Sequence, residues 1–99
     1  YIKSYANSSF HLYIIQWDNT KIQKSSKFFF SELRNRGIMV NFHYIPVYLQ
    51  PYYLNQGFKR GHCPISEEYF LKSLSIPIYT SITDEELEIV SHEIKSLIV

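Results

Sequence analysis

Cysteine is nearly absent: Cys63 is the only one in 99 residues. A single thiol closes no internal disulfide, so a small disulfide-stapled secreted scaffold is excluded and a reducing, cytoplasmic setting is expected. Glycine occurs three times, and no two glycines form a G-x-G, which excludes a Gly-rich phosphate loop. No apolar run reaches the ~20 residues that a membrane helix needs, and no signal-peptide pattern is present, so no membrane partner is expected. The four histidines, His11, His43, His62 and His92, make no zinc-like spacing with Cys63, an acid or one another. His62 and Cys63 are adjacent, and neighbours rarely share a metal well, so no metal site is expected. Cys63 also lacks the base and orienting group of a nucleophile, and it reads as a buried or capping residue.

What remains is aromatic and apolar. Hydrophobic residues make up 45% of the chain, enough for a packed core, and aromatics 17%, with nine Tyr and seven Phe. The length suits one small domain with marginal stability. The chain begins at Tyr1 without a methionine, which reads as a piece of something longer. Charge is uneven. Residues 1–61 hold eight basic and two acidic side chains, residues 62–99 two basic and seven acidic, for a net +1. Two differently charged solvent faces account for this; a basic surface facing phosphate or nucleic acid is the sharper reading.

The pattern along the chain predicts the order β-α-β-loop-α-β-α, an α/β (α+β) two-layer sandwich with helices on one sheet face. Phe10 to Trp17 is β-branched and aromatic, hence a strand. Asp18-Asn19-Thr20 forms a turn, and a helix follows from Lys21 to Arg36 with Gly37 as its C-cap glycine. Ile38 to Tyr44 alternates as a strand. Ile38, Val40, Phe42 and Tyr44 point one way, and Met39, Asn41 and His43 the other. Residues 45–62 are an irregular loop. Pro64 opens a helix to about Leu74, with Cys63 just outside it. Leu74 to Tyr79 is a short strand, which Pro77 makes an edge strand or a sheet end. Thr83 caps the last helix in a capping box with Glu86. Asp84, Glu85 and Glu86 suit the helix dipole rather than catalysis, and Leu87, Val90, Ile94 and Leu97 form one apolar stripe.

The segment that stands out is HYIPVYLQPYY, from His43 to Tyr53. It leaves a strand into a long, proline-marked loop, and such loops usually carry function. On composition alone, its rings also read as a satellite core under the loop, with His43 hydrogen-bonded and inert.

A resemblance shifts that balance. VNFHYIPVYLQPYY, then GFKRGHCPISEEYFLKSLSIPIY, then TDEELEIV, together with the opening Ser9-Phe10-His11-Leu12-Tyr13, resemble in this order the C-terminal domain of the DegT-type sugar aminotransferases. The nearest subgroup is the PseC-type UDP-sugar aminotransferase of the pseudaminic acid pathway. The likeness runs from about Ser8 to Ile98. It implies that residues 1–99 are the single C-terminal small domain of a fold-type I enzyme dependent on pyridoxal 5'-phosphate (PLP), usually a homodimer. A large domain outside these residues would hold PLP on a lysine; none of the seven lysines here sits in such a setting, so no catalytic residue is assigned. Glutamate would donate the amino group, and a UDP-linked 4-keto-6-deoxy-N-acetylhexosamine would receive it. The residues carried over as substrate-binding are His43, Tyr44, Pro46 and Tyr48. The first two and Tyr48 offer hydrogen bonds and stacking faces, and Pro46 fixes the loop's exit. Relatives often have His where this chain has Tyr48.

The rival reading is a nucleic-acid-binding α/β module with a basic, Tyr-rich face. Against it stand the net charge of +1 and the absence of an RNP-like strand. A regulatory or dimerisation module is a third reading. As part of a larger enzyme, the domain should also show exposed apolar patches and self-associate through them when alone.

Overall fold

A computed structural model describes residues 2–99 of the chain. Strand β1 (Tyr13–Gln16) pairs antiparallel with β2 (Ser73–Ile76), in the register Tyr13↔Ile76 to Gln16↔Ser73. On its other edge, β2 meets Asn41 in a single bridge, Asn41 N–H to Ser75 O at 3.1 Å and Ser75 N–H to Asn41 O at 2.9 Å. Helices α1 (Ser26–Asn35) and α4 (Asp84–Ile98) pack with the sheet. A 3-10 turn (Val47–Leu49), α2 (Pro51–Asn55) and α3 (Pro64–Leu71) lie between Asn41 and β2. The mixed two-layer architecture follows the sequence pattern. The predicted middle strand shrinks to the Asn41 bridge, and the loop contains a helix.

Local chemistry explains where the elements begin and end. α1 starts five residues later than Lys21. The Asp18 carboxylate accepts from the Thr20 amide at 2.9 Å, and its carbonyl accepts from Lys21 and Ile22, which closes a separate turn. Ser25 then caps the helix by accepting from the Phe28 amide at 3.2 Å. At the other end, Ile38 N–H reaches Leu33 O at 2.9 Å and Gly37 N–H reaches Arg34 O at 3.0 Å, a Schellman pair. Gly37 has φ +82°, which glycine adopts without a Cβ clash. Its neighbour Ile38 folds back onto Leu33, and both are buried.

The core consists of Phe29 and Leu33 from α1, Ile38 and Val40 from the segment after it, Leu74 from β2, and Val90 and Leu97 from α4. β2 ends at Ile76, so Pro77 marks a sheet end, and the free edge of this two-stranded sheet is met only by the Asn41 bridge. α3 stops at Leu71 rather than Leu74, because Leu74 is needed in the sheet and Ser73 Oγ binds Tyr69 O at 2.7 Å. The capping box on α4 is complete: Glu86 N–H donates to Thr83 Oγ1 at 3.2 Å and Thr83 N–H to Glu86 Oε2 at 2.9 Å. The α4 stripe is only partly covered. Val90 and Leu97 are buried, Ile94 is half-buried, and Leu87 is 46% exposed.

That exposure belongs to a wider pattern. The accessible surface is 7725 Å² for 11.8 kDa. A compact monomer of that mass exposes about 5900 Å². The radius of gyration is 15.7 Å, against about 12.6 Å expected for a compact chain of this length. An apolar groove of about 580 Å³ runs along α4 and the sheet, lined by Tyr13, Ile76, Ile82, Leu87, Val90 and Ile94 among others. The expected apolar patches are therefore present.

Candidate functional site

The backbone after α1 alternates as predicted as far as Phe42. Ile38 and Val40 are buried, Met39 is 62% exposed, and Phe42 stacks on Phe30 at 4.7 Å with Phe70 at 5.4 Å. The alternation ends there. Tyr44, expected on the Val40 side, is 69% exposed, and His43 is half-buried. Their rings meet edge-to-face at 4.4 Å, and the peptide between them is cis. His43 Nδ1 is buried and has no hydrogen-bond partner among the described residues. A buried unpaired ring nitrogen costs free energy, so His43 carries an unsatisfied polar atom beneath the surface.

Pro46 is buried and turns the chain into the 3-10 turn, where the Leu49 amide reaches Pro46 O at 2.8 Å. Tyr48 then leaves the neighbourhood of His43. Its hydroxyl donates to the Glu67 carboxylate on α3 and lies 3.3 Å from Cys63 O, and it accepts from the Cys63 amide at 3.2 Å. The same carboxylate accepts from the Gly61 amide at 2.7 Å. The Tyr48 hydrogen bond, and then the Gly61 amide, hold the Glu67 carboxyl below its usual range. Desolvation, and then the bond to Glu67, raises the Tyr48 phenol. Rings link the rest of the segment: Tyr48 to His62 at 5.6 Å, His62 to Phe58 at 5.1 Å, Phe58 to Tyr53 at 5.9 Å and Tyr53 to Tyr52 at 5.2 Å.

The structure therefore brings His43 and Tyr44 together and sends Tyr48 to a different neighbourhood. Its hydroxyl is engaged within the chain, where the sequence suggested contact with a ligand. Sequence reasoning missed Glu67. The available signal was a carboxylate just inside a proline-opened helix, directly after a tyrosine-rich loop. Cys63 sits at the N-cap of α3, as one reading had it, but its side chain is exposed and makes no cap bond, so the buried alternative is corrected. No cluster of three or more His, Cys, Asp or Glu able to hold a metal occurs among the described residues, and no helix among them is long and apolar enough to cross a membrane.

The sequence pattern of the DegT/DnrJ/EryC1/StrS aminotransferase family matches residues 2–95. Among curated proteins, an uncharacterized protein of Methanocaldococcus jannaschii, MJ1066, is 32% identical over 100 residues, covering 98% of this chain and 25% of that protein. The Bacillus subtilis spore coat polysaccharide biosynthesis protein SpsC is 29% identical over 92 residues, covering 91% of this chain and 24% of its own length. Among solved structures, a candidate sugar aminotransferase of Streptococcus pneumoniae, Spr1654, in its PMP form, superposes with a TM-score of 0.81 at 30% identity, covering 91% of this chain and 22% of that one. Its apo form matches equally well. The chain spans about a quarter of the length of the curated relatives it matches.

Proposed function

The chain belongs to the DegT/DnrJ/EryC1/StrS aminotransferase family, and from that premise we propose that it is the C-terminal small domain of a PLP-dependent sugar-nucleotide aminotransferase. The family match over residues 2–95 carries the reading, and the likeness to Spr1654 supports it. The PMP form of that neighbour supports a pyridoxal cofactor in the whole protein. The name of SpsC supports a place in polysaccharide biosynthesis. The finer proposal is a cytoplasmic homodimer that moves an amino group from glutamate to a UDP-linked 4-keto-6-deoxy-N-acetylhexosamine, as in the PseC-type subgroup.

Lys21, Lys24 and Lys72 do not fit the role of holding the cofactor's aldehyde. A lysine that holds an aldehyde needs a desolvated amine. Lys24 is bound to the Leu97 carbonyl, Lys72 to Glu68 at 2.7 Å, and Lys21 lies 3.6 Å from Asp18 with 80% of its side chain exposed. The cofactor, when bound elsewhere in the whole protein, supplies the electron sink for amino transfer. This chain supplies recognition. The half-buried His43 ring would turn its unpartnered Nδ1 toward a sugar hydroxyl or phosphate, Tyr44 presents an exposed ring, and Pro46 and Tyr48 set the course of the loop.

The test uses the whole protein. The visible absorbance of a bound pyridoxal group should disappear with borohydride and shift when glutamate is added. A colourless protein that stays unchanged when PLP is supplied would overturn the reading. The nucleic-acid alternative is not favoured. Several of its basic side chains are engaged within the chain: Arg34 with Val40 O, Arg36 with Glu93, and Lys24 with Leu97 O.

A further inference from the structure

We propose that Glu67 is a positioning residue, whose carboxylate clamps both ends of the 48–61 loop so that its rings form one wall of the sugar-nucleotide pocket; this rests on the function proposed above. The two donors to Glu67 come from opposite ends of that loop. Tyr48 begins it and Gly61 closes it, and both reach the same oxygen, Oε1. Core burial does not hold the segment, because every residue from Gln50 to Ser66 is exposed. A loop without buried side chains retains its full conformational freedom unless polar contacts restrain it. Backbone bonds within α2 and its turns hold the segment locally, and the side-chain bonds that tie its two ends together converge on one carboxylate. Its bonds to Tyr48 and Gly61 are charge-assisted, and the Cys63 amide donates to the same phenol oxygen at 3.2 Å.

The arrangement also accounts for the exposed rings. With the loop closed, His62 packs tilted against Tyr48 and Phe58 edge-on against His62, while Tyr52 remains 67% exposed. An outward Tyr52, on the same connection as the exposed Tyr44, is available to a base or sugar ring. A glutamate serving only the helix dipole of α3 would need no contact with the loop.

The experiment compares Glu67→Ala, Glu67→Gln and Tyr48→Phe in the whole protein by two readouts. One is amide hydrogen exchange over residues 48–62. The other is the KM for a UDP-linked 4-keto-6-deoxy-N-acetylhexosamine, set against the spectral half-reaction with glutamate alone. Glu67→Ala should speed exchange in the loop about 10-fold or more and raise the sugar-nucleotide KM about 10-fold, leaving the glutamate half-reaction within about twofold. Glu67→Gln keeps an acceptor oxygen and should recover part of both effects. Tyr48→Phe removes one donor and leaves α3 intact, so it should give the same pattern in weaker form even where Glu67→Ala does not fold. Unchanged loop exchange in Glu67→Ala and Tyr48→Phe overturns the clamp. A loosened loop with unchanged KM, or equal loss in both half-reactions, overturns the positioning role. Should the wild type show no transamination, the proposed function falls, while the exchange readout still decides whether Glu67 holds the loop.

Discussion

Arg36 at the end of α1 donates to Glu93 of α4 at 2.6 Å, and the same guanidinium nitrogen reaches Ser96 Oγ at 2.7 Å. The bond joins the two helices that cover the sheet. The Arg36 hydrogen bond is the chief reason the Glu93 carboxyl titrates below its ordinary value of 4.5. A carboxyl with a depressed folded pKa contributes stability that is fully present above its unfolded pKa and is lost as pH falls through the folded value. The thermal midpoint should therefore hold steady from neutrality to about pH 5 and then fall with acid. Arg36→Met should lower the plateau slightly and flatten the acid branch. Both side chains are partly exposed, so the effect should shrink in high salt. A plateau and acid branch identical to wild type would show that the pair adds nothing.

Packing in the core should matter far more. Leu33 is fully buried among Phe29, Val40 and Leu74, whereas Leu87 faces the open groove. Leu33→Ala should cost about 2–5 kcal/mol in chemical denaturation, which in a domain this small approaches complete unfolding. Leu87→Ala in the 99-residue chain should stay within about 0.5 kcal/mol. Similar costs at the two sites would place the core elsewhere.

The C-cap offers a backbone test. A Cβ added at Gly37 meets nothing within 4 Å, so the cost of Gly37→Ala comes from its positive φ alone. About 1 kcal/mol of destabilisation is expected, measured by urea unfolding. Gly37→Asn should cost less, because Asn tolerates the left-handed region better. Equal costs for the two would show that the helix end has shifted.

The uncovered surface leads to a prediction about the isolated chain. Its groove of about 580 Å³ and surface excess resemble half of an interface. Sedimentation of the 99-residue chain should show concentration-dependent self-association, and Leu87→Glu should shift it toward monomer. A clean monomer at high concentration would count against this.

His43 gives the direct test of substrate contact. His43→Ala in the whole protein should raise the KM for the sugar nucleotide about 10-fold or more, the scale of one polar contact, with the glutamate half-reaction preserved. His43→Asn, which keeps a hydrogen-bonding side chain of similar reach, should recover part of the loss. No change in KM would leave the orphaned nitrogen as a structural feature only.

Much of this architecture was legible in local residue chemistry. Thr83 and Glu86 name the start of α4, Gly37 the end of α1, and Pro64 the start of α3, because caps and φ restrictions act over three or four residues. The aromatic loop also stood out on composition, and the ordered motifs along it pointed to the family that residues 2–95 match. Long-range packing decided the rest. Whether residues 38–44 make a strand depends on how much of β2 they can reach, and only Asn41 reaches it. Whether α1 begins at Lys21 or Ser26 depends on a turn at Asp18 that outcompetes the helix. The sequence marked Glu67 only as a carboxylate inside a proline-opened helix; its role was not legible, because its partners lie 19 and six residues upstream and meet it only after the loop closes. Local propensity set the caps and turns; tertiary contact chose which carboxylate, which nitrogen and which rings face one another, since those pairings rest on distances that no sequence window contains.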